Sequence, residues 1–436
     1  MFGYYFNLGV RSLRRNPFLT ALMVLTLAIG VAASIATLTI LHVMSGDPLP
    51  AKSARLVVPL IDNGPTIGWS PADGPNDDQM SYIDASNLLK SGQGERRTAV
   101  YGLYLPIEPP RKDIPAFHAG GLAPTHDFFA MFNVPFLRGH PWTAADDARA
   151  ADVVVLARAT AERLFGAADP IGQRIVLDGA PYTIVGVTDT WVPRPRYYRL
   201  VGGDRFGDGE EFFIPFTTAI RHEMGNAGSM NCSSNRDPGF ANLLTSECTW
   251  IQFWFELRSP SDRADLQAYL NNYANDQRKL GRLKRNAPPG LYDLMAWMEH
   301  LKVVGNDNRL SVWLSFGFLA LCLVNTVGLL LAKFSVRASE IGVRRALGAS
   351  RADIFRQFLI ETGVVGLIGG LLGLVLAFGA LALIGMQSKG MAAIAHMDWE
   401  MLAMTFVISV CAALLAGLLP TWRACQVTPA IQLKSQ

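Results

Sequence analysis

The sequence predicts an α-helical membrane protein with four transmembrane helices and a large α+β extracytoplasmic domain inserted between helices 1 and 2. Three observations carry that expectation. Only 17% of the 436 residues are Asp, Glu, Lys or Arg, against roughly 25% in an ordinary soluble domain. The charges are missing from four windows, Asn16 to Gly46, Leu310 to Ala332, Thr362 to Ser388 and Met401 to Trp422, which hold 31, 23, 27 and 22 residues. Each is long enough for the ~20 apolar residues that cross a bilayer core. The stretch between the first and second windows returns to ordinary polarity. With 23 Phe and 9 Trp the chain is no disordered polymer, and a net charge of +3 is too small to argue for nucleic acid.

Taken in order, residues 1–17 form a cytoplasmic amphipathic helix. Phe2, Tyr5, Phe6, Val10 and Leu13 fall near one helical face, and Arg11, Arg14 and Arg15 fall elsewhere. Residues 18–44 are the first span. The apolar core of a cleaved signal peptide is about 7–15 residues, so this longer run is read as a retained helix.

Residues 45–309 form the external domain. Arg55 to Ile61, Gln79 to Lys90 and Arg97 to Ile107 read as strand, helix and alternating strand. Thr249 to Leu257 is aromatic and alternating, and Ser259-Pro260-Ser261-Asp262 marks the start of a helix over Arg263 to Leu280. Two such units suggest a split outer part, 45–113 and 241–309, around an inserted subdomain, 114–240, that is rich in Gly, Pro and short strands. Cys232 and Cys248 enclose a Gly/Asn/Ser-rich loop with little apolar material, and an oxidising compartment would favour a bridge between them.

Residues 310–332 are the second span and 333–361 a short cytoplasmic helical hairpin. Gly348 is placed to take a left-handed cap conformation, and Ser350 with Asp353 resembles a capping box. The third span, 362–386, carries Gly366, Gly369, Gly370 and Gly373 as overlapping G-x-x-x-G pairs. Such pairs let another helix approach closely, either from this chain or from a dimer mate. A turn, 387–400, leads to the fourth span, 401–420, and a cytoplasmic tail, 421–436.

The flanking charges orient these spans. The amino-terminal segment, the hairpin and the tail together hold eleven basic and three acidic residues, whereas the external segment holds 27 and 31. By the positive-inside rule both termini and the hairpin are cytoplasmic. The spans are free of ionisable groups except His42 near an outer end, and Asn325 is the most polar group in mid-span. Helices this apolar suit levers better than a polar conduit.

Enzymatic chemistry finds no support in the residues. G-x-x-x-x-G-K-[ST], H-E-x-x-H, G-x-S-x-G and Cys/His metal spacing are all missing from this sequence. The adjacent acids Asp77-Asp78, Asp146-Asp147 and Glu210-Glu211 read as solvated turns rather than catalytic pairs. No catalytic, cofactor or metal residue is therefore assigned.

The stretch Arg337-Ala338-Ser339-Glu340-Ile341-Gly342-Val343-Arg344-Arg345-Ala346-Leu347-Gly348-Ala349-Ser350 resembles the cytoplasmic loop of MacB/FtsX-like permeases of ABC transporters. A second match runs from Phe128-Phe129 through Leu137-Arg138-Gly139-His140, Val153 to Leu156, Leu164-Phe165-Gly166, Asp169-Pro170-Ile171-Gly172 and Tyr182 to Val187. It is similar to that family's periplasmic core domain. The family usually has Arg where His140 stands and more basic residues near Pro420 to Val427.

The resemblance implies a permease of the inner membrane that pairs with an identical or homologous permease chain. It further implies two ATP-binding subunits that carry ATP and Mg, a periplasmic adaptor and an outer-membrane channel. ATP-driven closure would rock the helices and reshape the external domain, driving efflux or extrusion. Two alternatives are release of lipoproteins and FtsX-like control of an envelope hydrolase. Glu340, Ile341, Gly342, Arg344, Arg345, Ala346 and Gly348 are then expected to meet the ATP-binding subunit.

Overall fold

The computed structural model describes residues 16–66, 70, 77–232, 238–336, 343, 347–386 and 399–425. The amino-terminal amphipathic segment, most of the turn before the fourth span and the end of the tail lie outside these residues. The chain divides into two compact units, Met1–Ser45 with Val304–Gln436, and Gly46–Val303.

The first membrane helix, α1 (Pro17–Ser45), precedes β1 (Leu56–Leu60), β2 (Met80–Ser81), α2 (Tyr82–Lys90), β3 (Arg96–Glu108) and β4 (Phe117–Pro124). The middle of the external unit supplies β5 (Phe136–Gly139), β6 (Val153–Ala157), α3 (Arg158–Phe165), β7 (Arg174–Leu177), β8 (Ala180–Thr188) and β9 (Phe212–Phe213). The chain returns through β10 (Thr249–Glu256), α4 (Arg263–Lys279), β11 (Gly290–Asp293) and α5 (Leu294–His300). It then enters the membrane helices α6 (Asn306–Val336), α7 (Arg351–Gly385) and α8 (Trp399–Cys425), with shorter helical turns elsewhere.

The external strands form one mixed sheet in the order β11-β1-β10-β3-β4-β9-β6-β8-β5, with β2 on β10 and β7 bridging β3 and β8. The two parts of the domain are therefore sewn together rather than merely adjacent. Their seam is the antiparallel pair β3–β4, in register from Val100↔Pro124 to Ile107↔Phe117.

The alternation of β3 and β10 would ordinarily put one face in solvent. Here all of β10 is buried, as is β3 from Thr98 to Gly102 and on to Leu103. The reason is an apolar cluster on each side of the sheet. One contains Tyr101, Trp250, Phe253 and Phe255, and the other Val100, Phe128, Phe132, Trp254 and Trp297. Burial on both faces takes in polar residues too. Glu256 is fully buried at the end of β10, where Arg96, Lys52 and Arg55 approach its carboxylate at 2.9, 3.1 and 3.4 Å. A buried charge demands such company.

In the membrane unit, α1, α6 from Leu310 and α7 are each long and apolar enough to span. The fourth helix, α8, has 27 residues with an apolar stretch at Val410–Trp422. Glycines set the close approaches. A Cβ on Gly30 of α1 would stand 3.0 Å from Cys322 of α6, and one on Gly417 of α8 would be 2.4 Å from Thr362 of α7. Polar contacts join α1 to α6 near their outer ends. Ser34 Oγ donates to Ser315 O at 3.1 Å, and the Thr37 and Ser315 hydroxyls lie 2.8 Å apart.

Candidate functional site

The hairpin between α6 and α7 is where the sequence places the coupling residues. Glu340, Ile341, Gly342, Arg344, Arg345 and Ala346 lie outside the described residues. Gly348 has φ of 99°, a conformation strained for any side chain with a Cβ. Two residues later Ser350 caps α7: its Oγ accepts from the Asp353 amide at 3.1 Å and donates to the Asp353 carboxylate at 2.5 Å. The backbone thus turns at the glycine and is locked into helix at the serine.

From that cap α7 runs unbroken for 35 residues to Gly385. At 1.5 Å per residue this is ~52 Å, far more than the ~30 Å hydrocarbon core. The second leg of the hairpin and the third span are accordingly one rod. Val343 and Leu347 are exposed apolar residues one helical turn apart, with Leu347 N donating to Val343 O at 3.0 Å.

The charge-free windows stop at Ala332 and resume at Thr362, but the helices continue past those limits. Lys333 of α6 and Glu361 of α7 are both buried, with Nζ 2.6 Å from Oε1. Around them pack Met23, Leu330, Phe334, Ile354, Phe358 and Val365, and the Phe334 and Phe358 rings have centroids 4.4 Å apart. The expectation of membrane helices without ionisable groups is corrected here. One acid and one base, each counted as a loop residue because it borders an apolar run, form an ion pair inside the bundle. The cost of burying either charge alone ties them together.

Gly369 and Gly373 of α7 face α1. A Cβ on Gly369 would lie 3.0 Å from Leu27, and one on Gly373 would lie 3.0 Å from both Ala28 O and Val31. Gly366 and Gly370 are also buried.

In the external unit, Cys232 and Cys248 are joined by a disulfide with Cα atoms 4.3 Å apart. The preceding residue, Glu247, receives Arg282 Nε at 2.9 Å, and the same guanidinium reaches Asp84 at 3.0 Å. The bridged loop is thereby linked to α2 and to the end of α4. Both connectors to the membrane helices are fastened to one sheet edge. β1 pairs with β11 from Val57↔Asp293 to Leu60↔Gly290, Leu294 N donates to Ser53 O at 3.3 Å, and Arg205 Nη1 donates to Leu301 O at 3.0 Å.

The three acid pairs are not the solvated turns expected of them. Glu210 is buried beside Arg196 and Arg199, at 3.3 and 3.5 Å, while Glu211 accepts from Gly120 N at 2.8 Å. Burial lifts Asp77 above the usual carboxylate range, opposed by its hydrogen bond from Thr249. Asp78 meets His300 Nε2 at 2.7 Å. Asp146 completes a capping box with Thr143, and Asp147 holds Trp142 Nε1 at 3.0 Å and His126 Nδ1 at 2.9 Å. The hydrogen bond to Asp147 raises the His126 pKa above its ordinary 6.5, against the opposing effect of burial. These acids are partners in folding; apart from the local Thr143–Asp146 box and Trp142 beside Asp147, sequence spacing carried no sign of the residues that hold them. The His140 ring Nδ1 lies 2.9 Å from Pro141 O, and its backbone amide donates to Val185 O at 3.2 Å. Among the described residues no group of three His, Cys, Asp or Glu could hold a metal.

Comparison with known proteins adds a second kind of observation. The MacB-like periplasmic core domain family matches residues 20–273, and the FtsX-like permease C-terminal family matches 312–429. The macrolide export ATP-binding/permease protein MacB of an Azoarcus species is 25% identical over 98% of this chain and 59% of its own length. The pyoverdine export ATP-binding/permease protein PvdT of Pseudomonas aeruginosa is 25% identical over 97% of this chain and 57% of its own. The chain thus spans somewhat over half the length of these relatives. The solved periplasmic region of MacB from Actinobacillus actinomycetemcomitans covers 58% of this chain and 95% of its own, with 12% identity and a TM-score of 0.36.

Proposed function

The chain belongs to the MacB/FtsX-like permease family of ABC transporters, and from that premise we propose that it is the membrane part of an ATP-driven exporter. ATP is hydrolysed by an ATP-binding partner on the cytoplasmic side, which carries the nucleotide and Mg. The hairpin receives the stroke, and the external unit delivers it to a periplasmic adaptor and an outer-membrane channel. Two copies of the permease and two ATP-binding subunits form the working core in the inner membrane, with both termini cytoplasmic. The names of the relatives, macrolide and pyoverdine exporters, favour extrusion of a small molecule over lipoprotein release or control of a hydrolase.

The observation that carries this reading is the unbroken α7. A push at its capped end moves the whole rod, whereas a break at the membrane surface would dissipate it. Glu340, Ile341, Gly342, Arg344, Arg345 and Ala346 form the contact with the ATP-binding partner, and Gly348 sets the bend that presents them. Val343 and Leu347 add an apolar element to that contact.

The test is a substitution at the bend. Gly348→Val strains a left-handed backbone by roughly 1–3 kcal/mol at a site where a Cβ meets no atom within 4 Å. The variant should insert normally yet lose most cargo-linked ATPase activity in vesicles, or fail to recover the ATP-binding partner. Full activity with normal recovery of the partner would reduce the hairpin to a connector.

A further inference from the structure

The connector that follows α1 is not slack where it enters the external unit. Leu49 N donates to Asp47 Oδ1 at 2.9 Å, and Lys52 N and Ser53 N both donate to Leu49 O at 2.9 Å. Arg55 N and Leu56 N then donate to Lys52 O at 2.8 and 3.0 Å. These consecutive turns lead directly into β1, so a shift of the connector would carry Lys52 with it.

An ammonium has three donors and no acceptor. Three oxygens surround Lys52 Nζ: Glu256 Oε1 at 3.1 Å, Ala130 O at 2.7 Å and Met131 O at 3.2 Å. The first belongs to β10. The other two close the helical turn Phe128–Met131, 78 and 79 residues further along the chain. Glu256 already has Arg96 and Arg55 at 2.9 and 3.4 Å from its carboxylate. What Lys52 adds is a grip on two carbonyls at the end of that turn, where a helix leaves its last acceptors unpaired.

The beginning of the same turn is fixed to different elements. Asp127 Oδ2 accepts from Arg97 N of β3 at 3.1 Å, and His126 N donates to Asp147 Oδ2 at 2.6 Å. Between the two ends Phe128, Phe129 and Phe132 are buried. Their ring centroids lie 5.5 Å from Tyr198, 4.8 Å from Trp142 and 5.5 Å from Trp254 respectively. A close-packed cluster of this kind is hardly compressible and transmits strain.

We propose that Lys52 is a positioning residue that carries movement of the first connector to the Phe128–Met131 turn, and through it to the middle of the external unit. This role rests on the stroke proposed for the hairpin, and it adds a route beside the β1–β11 edge. The edge joins the connector to neighbouring strands, whereas Lys52 reaches a helical turn outside the sheet.

The experiment is hydrogen–deuterium exchange on the full complex in nanodiscs, at rest and after trapping with ATP and orthovanadate. In the resting complex Lys52→Met should speed exchange of residues 131–134 by about ten-fold. A purely structural lysine would do the same, so the deciding readout is the difference made by nucleotide. In the unaltered chain, trapping should change exchange in residues 46–55, in β1 and in residues 128–134. Lys52→Met should keep the first two changes and lose most of the third, and Lys52→Arg should restore it. Glu256→Gln, which spares both carbonyl contacts, should keep all three. Lys52→Gln serves in place of Lys52→Met if the latter folds poorly.

A full nucleotide response of residues 128–134 in Lys52→Met would overturn the role of Lys52 while leaving the stroke intact. So would an unaltered chain that responds in 46–55 and β1 but not in 128–134. Equal loss from Glu256→Gln would assign the effect to the charge on β10. No response anywhere in the external unit would end this role and the proposed stroke together.

Discussion

Lys333 and Glu361 show how single residues connect the hairpin to the bundle. Each sits on a different helix, and both are buried beside Phe334 and Phe358. Removing one member of a buried pair leaves an uncompensated charge and costs about 3–5 kcal/mol, whereas replacing both with apolar groups is often neutral. Lys333→Met should therefore lower the thermal stability of the purified protein, and Lys333→Met with Glu361→Leu should recover it. If the pair also times the movement of α7, the stable double variant will remain poor in cargo-linked ATPase activity. Equal stability of single and double variants would contradict the buried pair.

His126 makes a prediction of the opposite kind, about pH. Its hydrogen bond to Asp147 raises its folded pKa above 6.5. A raised histidine stabilises the fold fully below its unfolded pKa, and that contribution is lost as pH rises through the folded value. The external unit should thus lose a part of its stability on going from about pH 6 to pH 8, and His126→Gln should flatten that change. Melting of the whole protein in nanodiscs at both pH values checks it, and an identical slope in the variant would assign the change to another group.

Among the elements, α7 concentrates the packing argument. Gly369 stands against Leu27 with no spare volume, and forcing side-chain atoms into a packed core typically costs 1–3 kcal/mol. Gly369→Leu should separate α1 from α7 and reduce the yield of folded protein. Gly379→Leu, where a Cβ would meet nothing within 4 Å, should be tolerated. Similar loss from both would show that glycine serves the helix generally rather than this contact.

The membrane helices were the most legible elements, because a long charge-free run has few other physical meanings. The strand–helix–strand units of the external domain were legible from their periodicity. Their union into one sheet was not, since the pairing of β3 with β4 and of β10 with β1 is set by contacts remote in sequence. Nor was Glu256 readable as buried, because the three cations that neutralise it, Lys52, Arg55 and Arg96, come from two segments remote from it in sequence. The Lys333–Glu361 pair was hidden for a simpler reason. Charges bordering an apolar run look like its limits, and only the continuation of α6 and α7 places them inside the bundle.

At the scale of the whole molecule, the external unit has a mechanical handle. The chain entering from α1 and the chain leaving for α6 are both bound to the β1–β11 edge. On the proposed mechanism a change in either connector would reach that sheet, and the β3–β4 pair joins it to the remaining strands. The account therefore predicts that nucleotide bound on the cytoplasmic side alters the external unit through residues 46–55 and 301–305. Hydrogen–deuterium exchange on the full complex in nanodiscs, with and without trapped nucleotide, tests this most directly. Exchange in those two connectors and in β1 and β11 should change on nucleotide trapping, and the change should be lost in Gly348→Val. Differences confined to the hairpin between α6 and α7, with both connectors unaltered, would contradict mechanical transmission by this chain.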